Sequence, residues 1–337
     1  MKVSGSRSVL VLLLALLFVS LVLAGVAAAA FVPEVGAATA QSRTQAPSST
    51  VAAAPVYPVT VRTESYVDTT RGTAANGATV AHASRALPTT IYQPQGVAGQ
   101  RFALFVFSHG LTGEPQSYDA LLRSLASHGF VVAAPRFPLT NKRTVGKVNP
   151  LDEVNQPGDV RFVISQLLKK GSDTLAVIDA SKIAVGGHSL GAITAIDMMT
   201  NTCCYDARVK AVIAVAGTTN FFRPGKQFGA PATPILFIHG DKDPTVPYGL
   251  GYSAYQAAKP SKFFLTVIGG GHSFDLNGVP GSQARVAEVI GDSMVAFLQA
   301  QLSGPSVGDG RDAATATSLI AVAAANPALF RYEAVLR

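Results

Sequence analysis

Ile183-Ala184-Val185-Gly186-Gly187-His188-Ser189-Leu190-Gly191-Ala192-Ile193-Thr194-Ala195-Ile196 is the stretch on which the fold turns. An apolar, β-rich run enters a Gly-x-Ser-x-Gly turn, and a helix-forming run leaves it. The motif alone is weak in a chain rich in glycine and serine. Flanked in this way it predicts a strand–turn–helix, the setting in which the serine sits on a sharp, strained turn. Glycines two before and two after the serine let strand and helix approach without a Cβ clash. Ser189 then projects near a helix amino terminus, which favours developing negative charge. The competing reading is a helix-capping serine, and the residues farther along the chain weigh against it.

Outward from this turn, short apolar strands alternate with amphipathic helices. Strands are expected at 59–67, 89–92, 102–107, 130–134, 183–186, 209–215, 234–238 and 263–268. Helices are expected at 116–128, 157–169, 192–200, 247–258 and 285–301. In the second of these, Val160, Val163, Ile164, Leu167 and Leu168 share one face. Continuous apolar strands alternating with such helices predict an α/β fold, with a mostly parallel sheet covered on both faces. Ligands in such sheets bind beyond the carboxyl ends of the strands.

A serine hydroxyl needs a base to accept its proton. His272, in Gly269-Gly270-Gly271-His272, follows a late strand and precedes the last long helix, so it can reach the serine. The base needs a carboxylate to fix its tautomer. Asp241 and Asp243 both follow the strand at 234–238. Asp243 is chosen, and Asp241, in the tighter part of the turn, is the alternative and could brace it by an Asx bond. The order Ser189, Asp243, His272 is that of α/β hydrolases. The oxyanion is assigned to two backbone amides, that of Leu190 after the serine and that of Leu111 in Ser108-His109-Gly110-Leu111-Thr112-Gly113. His109 is expected to brace that loop, and His188 to be structural. The connection 216–232 is too short for a large lid domain. Phe221 and Phe222, with Leu111, are assigned to an apolar substrate pocket that suits short or medium acyl esters.

The stretches 108–113, 125–135 and 187–191 together resemble the platelet-activating-factor acetylhydrolase and dienelactone-hydrolase-like branch of the α/β hydrolases, with bacterial cutinase-like esterases close in pattern. The likeness covers residues 56–302. It implies cleavage of a small-molecule or lipid ester through an acyl-enzyme on Ser189, Asp243 and His272, with no cofactor and no metal. Two departures stand out. The nucleophile position of dienelactone hydrolases is a cysteine. Cutinase-like enzymes carry an aromatic after the oxyanion glycine and a tryptophan near the site, whereas this chain has Leu111 and no tryptophan.

The 337 residues are 48% apolar and 14% charged, enough to bury a sizeable core. The formal net charge of +7 is scattered and accompanies no groove-reading motif, so nucleic acid is not expected as a partner. Lys2 and Arg7, an apolar run over 9–32 and Ala38-Thr39-Ala40 read as a secretory signal, residues 1–40. The run is also long enough to be a retained membrane anchor. Either way the domain is exported, and this segment offers a transient membrane or envelope contact. Residues 41–55 read as a flexible linker. Residues 303–337 read as a carboxyl-terminal tail, Gly- and Ala-rich, whose weak apolar patch at Leu319 to Val322 suggests a loosely docked helix. The chain is expected to act as a monomer. Cys203 and Cys204, the only cysteines, are adjacent and read as two small buried thiols.

Overall fold

The computed structural model describes residues 56–77, 79–219, 225–274, 276, 284–302 and 310–336. The expected signal or anchor and the linker lie outside these. Among the described residues no helix is long and apolar enough to cross a membrane.

Nine strands form one sheet in the order β1-β2-β4-β3-β5-β6-β7-β8-β9. They are β1 (Val59–Asp68), β2 (Arg85–Pro94), β3 (Phe102–Ser108), β4 (Phe130–Pro135), β5 (Ile178–His188), β6 (Val209–Val215), β7 (Ile235–Gly240), β8 (Lys262–Val267) and β9 (Phe330–Val335). From β4 through β3, β5, β6 and β7 to β8 every pairing is parallel, and β1, β2 and β9 join antiparallel at the two edges. Side chains alternate across a strand, so each inner strand serves two cores. Phe105, Ala184, Ile213, Leu236 and Phe263 face one side. They pack against α1 (Asp119–Ser127), α5 (Ala284–Leu302) and α6 (Arg311–Ala325). Leu104, Val106, Val185, Val212 and Phe237 face the other. They pack against α2 (Gln156–Leu167), α3 (Leu190–Thr200) and α4 (Tyr248–Ala257). Burial of these apolar side chains, at about 25 cal/mol per Å², is the main force holding the three layers together. The α/β-hydrolase architecture expected from the sequence is thus present, with no large lid domain among the described residues.

A buried ionic knot ties the early strands to the second layer. Arg85 on β2, fully buried, is forked by Asp152 and Asp159, and Arg71 reaches Asp68 and Asp159. Such a knot needs every partner, because removing one leaves a charge buried alone.

Two expectations are corrected here. The domain does not stop at 302. Residues 311–325 form α6, whose Leu319 is fully buried, and β9 pairs with β8 over its whole length. The alternating Phe330-Arg331-Tyr332-Glu333-Ala334-Val335 has the period of an edge strand with one face packed. Nor are Cys203 and Cys204 free thiols, since they are joined as a disulfide in the turn that closes α3. Asn201 shapes that turn, its side chain accepting from the Cys203 amide and its carbonyl from the Cys204 amide. Cys204 is buried and Cys203 exposed.

Candidate active site

Three loops meet at the carboxyl end of the sheet, where the strand order reverses around β3 and β5, the position at which open α/β sheets hold ligands. The first carries Ser189. Its backbone sits at φ 56° and ψ −120°, a left-handed conformation costing a non-glycine residue about 1–3 kcal/mol. Neighbours hold it there. The Ser189 amide donates to the Val215 carbonyl at 2.9 Å, and the Ser189 carbonyl accepts from the amides of Ala192 and Ile193. The flanking glycines are required by contact. A Cβ on Gly187 would lie 2.5 Å from the Ser108 carbonyl oxygen, and one on Gly191 2.0 Å from it.

The second loop, after β8, brings His272. Its Nε2 lies 2.9 Å from Ser189 Oγ, and its Nδ1 lies 2.7 Å from Asp243 Oδ2. The third, after β7, carries Asp243, buried and fixed by two amides at its other oxygen, those of Thr245 at 2.8 Å and Val246 at 2.9 Å. Burial alone would raise this carboxyl. Hydrogen bonds from His239, His272 and Val246, with the charge of His272, overcome that and hold it well below the usual carboxylate range. The carboxylate therefore accepts, His272 carries its proton on Nδ1, and Nε2 is free to accept from the serine hydroxyl. The structure brings Ser189, His272 and Asp243 into one continuous line.

Asp241 takes a different part from the one expected. The Asx bonds in this turn belong to Asp243, while Asp241 Oδ1 accepts the Gly269 amide at 2.7 Å and so anchors the start of the His272 loop. His239, which sequence reasoning left without a role, places Nε2 2.8 Å from the Val246 carbonyl and 3.3 Å from Asp243 Oδ2. Its position at the end of β7, four residues before Asp243, was the one available signal.

The loop after β3 lies against the serine turn, where a Cβ on Gly110 would be 3.2 Å from Ser189 Cβ. It closes through Gly113 N–H to Gly110 O and is pinned from outside by Thr112 N–H to Thr140 O. His109 braces it, donating from Nδ1 to the Gly110 carbonyl and accepting the Phe137 amide at Nε2. Burial pushes this imidazole down to about 4, so it stays neutral. Glu114, buried behind the loop, is held by Lys142 and Arg143. The amides of Leu111 and Leu190 donate to no acceptor among the described residues, the condition two oxyanion donors need. Leu111, next to Gly110 on this loop, leaves 37% of its surface exposed. Phe221 and Phe222 lie outside the described residues. No cluster of three or more His, Cys, Asp or Glu suited to a metal occurs among those described.

Comparison with known proteins gives three kinds of likeness. A family model for chlorophyllase matches residues 63–223. Cutinase 1 of Thermobifida cellulosilytica is 25% identical over 188 residues, covering 54% of this chain and 64% of its own. A chloroplastic chlorophyllase-1 of Citrus sinensis is 30% identical over 108 residues, covering 32% of this chain and 31% of its own. The chain thus spans less than two thirds of the length of these curated relatives. Among solved structures, a ferulic acid esterase from Streptomyces cinnamoneus shares the fold, with a TM-score of 0.58 at 20% identity, covering 78% of this chain and 97% of that one.

Proposed function

We propose that this chain, an α/β hydrolase related to the cutinases, cleaves carboxylic esters with Ser189 as its nucleophile. The unbroken line Ser189 Oγ–His272–Asp243, with separations of 2.9 and 2.7 Å, carries the reading. Ser189 Oγ attacks the ester carbonyl carbon while its proton passes to His272 Nε2. The carbonyl oxygen, now an oxyanion, is met by the amides of Leu190 and Leu111. Collapse of this intermediate expels the alcohol, which takes the proton from His272, and leaves an acyl-serine. Water, deprotonated by the same Nε2, attacks the acyl carbon, and collapse returns the serine and frees the acid. Asp243 holds Nδ1–H throughout and stabilises the transient imidazolium.

The substrates are short or medium acyl or lipid-like esters. An apolar leucine on the exposed oxyanion loop and the short β6–β7 connection support that choice over a deep, capped pocket. The names of the relatives support an ester as the scissile group, and the reading carries no particular relative's substrate over to this chain. The protein acts outside the cytoplasm, delivered by residues 1–40, and as a monomer.

Hydrolysis of p-nitrophenyl esters from acetate to octanoate tests the function, with Ser189→Ala as the comparison. The alanine variant is expected to lose at least about 10³-fold in kcat. Undiminished hydrolysis by that variant would dismiss Ser189. A wild-type protein that neither cleaves esters nor takes a fluorophosphonate label at Ser189 would make this a binding protein on a hydrolase fold.

A further inference from the structure

The reaction above uses neither Tyr118 nor His188, yet these two buried side chains link the oxyanion loop, the serine turn and the His272 loop. Tyr118 ends the helical turn Pro115–Tyr118, just past the oxyanion loop, and His188 ends β5 beside the nucleophile. Tyr118 Oη lies 3.1 Å from the Gly110 amide and 3.0 Å from His188 Nδ1. His188 Nε2 lies 2.8 Å from the carbonyl oxygen of His272. The direction of every bond follows from the last. A carbonyl can only accept, so Nε2 carries the ring proton. Nδ1 must then accept, the Tyr118 hydroxyl must donate to it, and the tyrosine oxygen receives the Gly110 N–H. Burial, followed by the charge of His272, pushes the His188 imidazole down to about 4, which keeps this one-proton form in place at neutral pH.

The His272 loop needs such a hold. Its three glycines offer no side chains to pack. The early part is fixed by Asp241 on the Gly269 amide and by Lys242 N–H on the Gly270 carbonyl. His188 is what fixes the carbonyl of the histidine itself. Resting on the ester-hydrolase reading, we propose that Tyr118 and His188 are positioning residues. Their polarised chain of hydrogen bonds, Gly110 N–H to Tyr118, Tyr118 O–H to His188, His188 N–H to His272 O, sets the oxyanion loop, the serine turn and the base loop in register. The chain touches no reacting atom. It acts by keeping the distances from Nε2 to Oγ and from the Leu111 amide to the substrate oxygen at reactive values, where a shift of about 1 Å costs up to about 10²-fold. Directed, fully satisfied chains of this kind also gain by mutual polarisation.

The test compares Tyr118→Phe, His188→Leu and His188→Gln in the full chain. Read-outs are kcat and KM on a p-nitrophenyl ester, the rate of fluorophosphonate labelling, and thermal unfolding. Tyr118→Phe keeps the ring packed at a tilt against Phe107, at 4.8 Å between centroids, and removes one oxygen. It and His188→Leu are expected to lower kcat and labelling about tenfold with KM within about twofold. Glutamine can donate to the His272 carbonyl and accept from Tyr118, so His188→Gln is expected to recover most of that loss. A purely space-filling role predicts the opposite order, leucine at least as good as glutamine, and that order overturns the proposal. So does a Tyr118→Phe protein with wild-type kcat, a variant whose retained ring keeps the test open if His188→Leu fails to fold. A wild-type chain that cleaves esters while both variants match it overturns this inference alone. A wild-type chain that never acylates overturns the proposed function and this inference with it.

Discussion

Replacing Asp243 by asparagine changes one atom, and the surroundings dictate which way the amide must face. One carboxylate oxygen accepts the Thr245 and Val246 amides. The other accepts from His272 at 2.7 Å and lies 3.3 Å from His239 Nε2. Turning the amide nitrogen toward the two backbone donors would strip both of their acceptor, at about 1–3 kcal/mol each. The asparagine oxygen therefore stays with them, and its NH2 points at His272 Nδ1. An N–H facing an N–H is resolved by moving the imidazole proton to Nε2. Ser189 then faces a donor where it needs a base. The expected loss in kcat is about 10⁴-fold. At 1.36 kcal/mol per tenfold that is about 5.4 kcal/mol of barrier. KM should stay within a few fold, since no substrate contact is altered. Asp241→Asn keeps an oxygen for the Gly269 amide and should lose less than about tenfold. Steady-state hydrolysis of p-nitrophenyl butyrate by both variants, with thermal melts to confirm folding, decides the matter. If Asp243→Asn retains more than a tenth of wild-type kcat, or Asp241→Asn falls as far, the tautomer argument is wrong.

Two further outcomes follow from burial. Gly191→Ala sets a methyl within 2.0 Å of the Ser108 carbonyl, so the serine turn must open. A destabilisation of about 3 kcal/mol is expected, and an unchanged urea midpoint would contradict it. His109 and His188 are both held down to about 4 by burial, whereas unfolded imidazoles titrate near about 6.5. Between those values the unfolded chain binds more protons, so their stabilisation is complete above about pH 6.5 and is lost as pH falls toward 4, by about 3 kcal/mol each. Glu114 and Asp243, whose carboxyls are lowered in the fold, add a further loss below about pH 4. Urea unfolding at pH 7 and pH 4.5 reads the histidine part, and equal free energies at the two would refute it.

The parts of this molecule legible in the sequence are those whose cause is local. The serine turn could be read because strand, glycines and helix adjoin it, and every inner strand was visible as an apolar run. The polar start of β5, Asp179-Ala180-Ser181-Lys182, hid half of that strand, because it bulges from the ladder between the Phe102–Ile178 and Leu104–Ile183 pairs and carries no apolar run of its own. The tail was misjudged for a related reason. Half of β9 faces solvent, and only its neighbour β8 makes it a strand. Asp243 and Asp241 share a turn, and what separates them is the reach of each to a loop about 30 residues later. Tyr118 and His188 stand 70 residues apart, and His188 meets a backbone carbonyl 84 residues away, a bond that leaves no mark on spacing or composition.

The order of the strands has a consequence for the ends of the domain. β5, which delivers Ser189, is the fifth of nine, with four strands on either side. The first strand and the last therefore occupy opposite rims. At about 4.8 Å per strand their separation along the sheet is about 38 Å. A circularly permuted version would need roughly eleven or more extended residues to join Val59 to Val335, and longer to clear the layers of helices. The same distance protects the centre. Anything joined directly at Val59 or Val335 enters about 19 Å of sheet away from the serine strand, clear of the loops that carry Ser189, Asp243 and His272.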